Sequence, residues 1–83
     1  MTLEEIIRRL IARYGSADIH SVSMSCQLEE LGIDGLAVAQ IVNYLEAHFG
    51  VAIDSRDAVR WATGIEIVAT VQHLRAERHR EAS

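Results

Sequence analysis

The sequence predicts an all-α fold, a bundle of three longer helices and one short helix with a long loop between the first two. Three observations carry this reading. Apolar residues recur at helical spacing in separate stretches. The chain has no proline, and glycines punctuate the stretches. Hydrophobic residues make up 49% of its 83 positions, which at this length suits a single small core.

Thr2-Leu3-Glu4-Glu5 reads as a capping box that starts the first helix, with Thr2 as N-cap. Leu3, Ile6, Ile7, Leu10 and Tyr14 form its buried stripe, Arg8, Arg9 and Arg13 fall outside it, and Gly15 ends it. Residues 16–27 have no sustained period and are rich in serine, so they form the loop, pinned by Ile19, Val22 and Met24. Leu28 and Leu31 fold a short turn back onto the core.

The stretch Leu28-Glu29-Glu30-Leu31-Gly32-Ile33-Asp34-Gly35-Leu36 then leads into the second helix, Gly35–Phe49. Asp34 is a good N-cap because its carboxylate can accept from free N–H groups of the first turn. Gly32 permits a tight turn before it. Residue 35 is thereby exposed beside the positive end of the helix dipole. The inner stripe of this helix is Val38, Ile41, Val42, Leu45 and Phe49. Its outer face carries Leu36, Gln40, Asn43, Tyr44 and Ala47, almost without charge. Gly50 closes the helix.

Residues 51–54 connect to a short third helix over 55–62, on which Ala58 and Trp61 point the same way and Trp61 reads as a core plug. Thr63-Gly64-Ile65-Glu66 is a second capping box and opens the fourth helix, with Ile67, Val71 and Leu74 inside. The charged residues from 75 on are expected to fray, which places the folded unit at 1–76 and a frayed tail at 77–83.

Composition excludes several functions. The net charge is −4 and the arginines are scattered, which argues against nucleic acid, where phosphate neutralisation supplies much of the affinity. No apolar run approaches the roughly 20 residues that span a bilayer. The acidic, amphipathic start does not read as a signal peptide. One cysteine, Cys26, fits a reducing compartment, and a cytoplasmic monomer is expected. Cys26 reads as a small core filler. The hydroxyls of Ser21, Ser23 and Ser25 read as local turn formers. The histidines at 20, 48, 73 and 79 lack metal-ligand spacing, and His73 with Glu77 reads as a solvated pair. No set of nucleophile, base and orienting group is visible, so no enzyme is expected.

The motif at 28–36 resembles the signature of acyl carrier proteins and of the carrier domains of polyketide and peptide synthases, Leu-x-x-Leu-Gly-x-Asp-Ser-Leu. The resemblance extends to Ile41, Val42, Leu45, Glu46 and Phe49-Gly50, to Ile53 before a short third helix, and to the Thr-capped fourth helix. It implies the carrier fold from Leu3 to Leu74. In that family the residue after the aspartate is a serine, esterified by 4′-phosphopantetheine. Here that cofactor position, flanked by Asp34 and Leu36, holds Gly35, which has no oxygen to esterify. The cofactor is therefore expected to be absent.

The resemblance further implies that biosynthetic enzymes dock on the second helix, which makes Leu36, Gln40, Asn43, Tyr44 and Ala47 the candidate partner-binding residues. Family members place acidic residues along this helix, whereas Ala37, Gln40 and Asn43 are neutral. Trp61 would border the space that holds acyl chains in related carriers. Three readings of Gly35 stand. The chain is a protein-interaction partner (a regulator, scaffold or chaperone-like protein) in fatty-acid, polyketide or peptide-type biosynthesis. Alternatively it is a true acyl or aminoacyl carrier whose serine was replaced, or a helical bundle that binds lipid non-covalently.

Overall fold

Thr2 starts the first helix by accepting a hydrogen bond from the Glu5 N–H at 3.2 Å, which satisfies one of the donors that every helix start leaves free. From this cap the computed structural model, which describes residues 1–82, runs through four α-helices. They are α1, Leu3–Tyr14; α2, Gly35–Phe49; α3, Ser55–Ala58; and α4, Gly64–Ala82. A short 3₁₀ turn at Ile19–Ser21 interrupts the long loop, and no strand occurs among the described residues. The fold class expected from the sequence is the one observed.

The core centre consists of three pairs of residues four apart, one pair from each long helix. Ile7 and Ile11 come from α1, Ile41 and Leu45 from α2, and Ile67 and Val71 from α4, all fully buried. Residues at this spacing share one helix face, so each pair presents a compact apolar ridge to the other two helices. Ile11 joins the buried stripe of α1, while Leu3, Ile6 and Tyr14 pack on its margin.

The loop is held by both side chains and backbone. Val22, Met24, Leu28, Leu31 and Ile33 are buried, and Ile19 is half-buried. The Leu28 N–H donates to the Ala62 carbonyl at 2.8 Å, and the Ile65 N–H donates to the Met24 carbonyl at 3.1 Å. These bonds tie the loop to the head of α4. Gly32 has a φ of +82°, and a Cβ there would collide with Ser16, whose N–H donates to the Leu31 carbonyl at 3.0 Å. A glycine is therefore required where the end of α1 meets the turn before α2.

Two elements differ from the sequence reading. Helix α3 ends at Ala58, not Ala62, so Trp61 lies on the turn that follows it. The indole is buried there, and its Nε1–H donates to the Thr70 hydroxyl at 2.9 Å, so it does plug the core. At the other end of the chain, where the tail 77–83 is expected to fray, Ser83 lies outside the described residues. Helix α4 continues through this charged segment to Ala82. Two of its arginines contact the end of α2, and His73 pairs with Glu77 at 3.0 Å.

The ridge model makes a graded prediction. Leu45→Ala should cost about 3 kcal/mol, because it leaves a cavity where three helices meet. Gln40→Ala, on the outer face of the same helix, should stay within about 0.5 kcal/mol. Urea unfolding of both variants checks the contrast.

Candidate functional site at the head of helix α2

Asp34 sets the site. It adopts extended backbone, and its Oδ1 accepts the Ala37 N–H at 2.8 Å. The next residue, Gly35, is the first of α2. A Cβ built on it would meet nothing within 4 Å, so this position opens on free space. Leu36 follows with 70% of its surface exposed. The helix therefore presents an uncluttered start, with the backbone N–H groups of its first turn nearby.

A groove of about 700 Å³ lies beside this start. Asp34, Gly35 and Val38 line one side, and Val59, Arg60 and Trp61 the other. Its rim carries Val59, the most exposed large hydrophobic residue at 79%. The short helix α3 that positions Val59 is capped by Asp54, whose Oδ1 accepts the Arg56 N–H at 2.9 Å. The Arg56 guanidinium, bonded to the same carboxylate at 3.0 Å, holds the Asp54 carboxyl below its ordinary range, and the backbone bond adds to this.

Leu36, Gln40, Asn43, Tyr44 and Ala47 are all exposed along α2, together with Ala39 and His48. Ala37, counted with the neutral outer residues from sequence, is instead buried at 3%. It lies four residues before Ile41 and shares that residue's inward face. Two carboxylates bordering the outer face are turned to backbone groups. Asp34 serves the cap, and Glu46 Oε2 accepts the Ile53 N–H at 2.9 Å. The face is thus apolar and amide in character. Its far end is aromatic, with the Tyr44 and His48 rings stacked at 5.4 Å.

Two residues beside this face went unread from the sequence, Val59 and Arg60. The signal was present, since Ala58 and Trp61 pointing inward at a spacing of three leaves the intervening pair outside. The other sequence candidates lie elsewhere. The Ser23 and Ser25 hydroxyls bond each other at 3.0 Å in the loop, and Cys26 is half-buried against the core.

Comparison with known proteins bears on the family and the fold. The family model described as the phosphopantetheine attachment site matches residues 2–71. The chain belongs to the acyl carrier protein family. The solution structure of the hexanoyl acyl carrier protein of the actinorhodin polyketide synthase of Streptomyces coelicolor is similar, at 25% identity and a TM-score of 0.73. That match covers 86% of this chain and 87% of the other. The acetyl form of the actinorhodin acyl carrier protein from the same organism has a TM-score of 0.77 at 24% identity, over 94% of each chain, and speaks to the fold. No curated protein matches the chain. Among the described residues of this acyl carrier protein family member, no helix is long and apolar enough to cross a membrane.

The site geometry separates two neighbouring positions. Asp34→Ala should destabilise the chain by about 1 kcal/mol through loss of the cap. Gly35→Ala should be neutral or stabilising by about 0.5 kcal/mol, because its methyl group enters open space and restricts the unfolded chain. Thermal melts of the two variants should move in opposite directions or leave Gly35→Ala unmoved.

Proposed function

We propose that this acyl carrier protein family member works without a covalent 4′-phosphopantetheine arm, as a non-catalytic protein-interaction partner in carrier-dependent biosynthesis. The observation that carries the reading is Gly35. It stands where the family motif has its serine, at the head of a helix whose cap and dipole suit a phosphodiester, and it offers no nucleophile. With no arm to carry, the exposed outer face of α2 is the surface left to act.

Leu36, Gln40, Asn43, Tyr44 and Ala47 are the contact residues in this reading. An exposed leucine and tyrosine among uncharged neighbours match the composition of interface cores. Its partners are enzymes of fatty-acid, polyketide or peptide-type biosynthesis. The likeness to the carrier of a polyketide synthase favours the polyketide class. The protein acts as a cytoplasmic monomer.

One observation favours a second reading, a true carrier whose serine was replaced. A Cβ at position 35 would meet nothing within 4 Å, so the scaffold leaves room for a side chain to start there.

An intact-mass measurement after incubation with a promiscuous phosphopantetheinyl transferase and coenzyme A tests both. The unaltered chain should gain no mass, and a gain there overturns the proposal. Gly35→Ser gaining one phosphopantetheine would show a recognition surface still suited to a carrier. Failure of Gly35→Ser to gain mass would mark a face that has diverged into a binding module.

A further inference from the structure

We propose that the last turns of α4 act as a clamp on the far end of α2. The family match stops at residue 71, yet α4 runs on to Ala82. From Arg75 to Arg80 every residue is exposed, so burial in the core does not explain why this segment lies where it does. Polar contacts to α2 do.

The Arg75 guanidinium carbon lies 4.9 Å from the centroid of the Phe49 ring, over its face. Three residues on, Arg78 donates a hydrogen bond to the Gly50 carbonyl. Residues three apart share a helix face, so both arginines reach α2 from one side of α4. Their target is the point where α2 needs a partner. The last carbonyls of a helix have no acceptor role inside it, and the C-terminal end of the dipole is negative. A guanidinium there answers both needs.

Gly50 itself is left-handed, with a φ of +65°, and its N–H donates to the Glu46 carbonyl at 2.9 Å. Glu46 in turn holds the Ile53 N–H through its side chain, so the exit from α2 is gripped from two directions. The His73–Glu77 pair keeps the one acidic side chain between the two arginines engaged along α4.

The clamp also reaches the outer face. His48 meets the Phe49 ring edge-on at 4.7 Å and stacks on Tyr44 at 5.4 Å. Arg75, Phe49, His48 and Tyr44 are thus one continuous line of contacts. Arg75 and Arg78 are positioning residues that hold the Tyr44 end of the helix rigid. The consequence for docking rests on the proposed function, whereas the clamp stands without it.

Amide hydrogen exchange measured by NMR on the full chain tests the proposal. Arg75→Gln/Arg78→Gln should speed exchange at Ala47, His48, Phe49 and Gly50 by about fivefold or more, as a locally loosened helix end does. Val38 and Ile41, held from the Asp34 end, should change less than about twofold. Arg9→Gln, on α1, should leave all these amides unmoved. Each single arginine variant should give a smaller effect in the same place, which keeps the comparison available if the double variant does not fold. Uniform acceleration along α2, or no change at Ala47–Gly50, overturns the clamp. Neither result bears on whether Gly35 carries an arm.

Discussion

The hydrogen bond from the Ala37 N–H to Asp34 fixes where α2 begins, and the rest of the site follows from that position. One residue later and Gly35 would belong to the turn. One residue earlier and it would lie inside the first turn of the helix, no longer its first residue. The bond depends on a preceding turn that calls for glycine at position 32, where φ is +82° and Ser16, just past the end of α1, presses close. The close approach of α1 to this turn therefore reaches the functional position through three residues of backbone.

The core supplies what the cap cannot. Among the described residues no polar or charged residue is buried, so the three apolar ridges meet without any internal polar network. Such a core specifies helix contacts by shape alone. Capping hydrogen bonds secure the helix starts. Thr2, Asp34 and Asp54 cap three starts, and the Thr63 and Ala62 N–H groups both reach the Glu66 carboxylate at the fourth. Only half of the expected capping box forms there, because the Thr63 hydroxyl donates to Glu66 and does not accept from its N–H. This arrangement leaves the outer face of α2 free of structural duties, and its residues can be given over to a partner.

Much of this was legible in the sequence, and the boundary of legibility is physical. The limits of α2 are written in single residues, a capping aspartate before it and a left-handed glycine after it, so local reading finds them. The outer positions Leu36, Gln40, Asn43, Tyr44 and Ala47 follow from the helical period. The end of α3 is different, because Trp61 is drawn out of the helix by Thr70, nine residues further on. The length of α4 was missed for the same kind of reason. Nothing apolar recurs past Leu74, and the contacts that hold the segment link Arg78 to a carbonyl 28 residues back. Ala37 lies four residues before Ile41, so the helical period puts it on the buried face, although its small neutral side chain does not mark it as core.

The account turns on whether the chain carries an arm where it is made. The most direct measurement is the intact mass of the protein isolated from the cells that produce it. The account predicts the mass of the bare polypeptide. A phosphopantetheinyl adduct on any residue would contradict it, and mapping that adduct to the Ser21–Ser25 loop would move the functional site away from the head of α2.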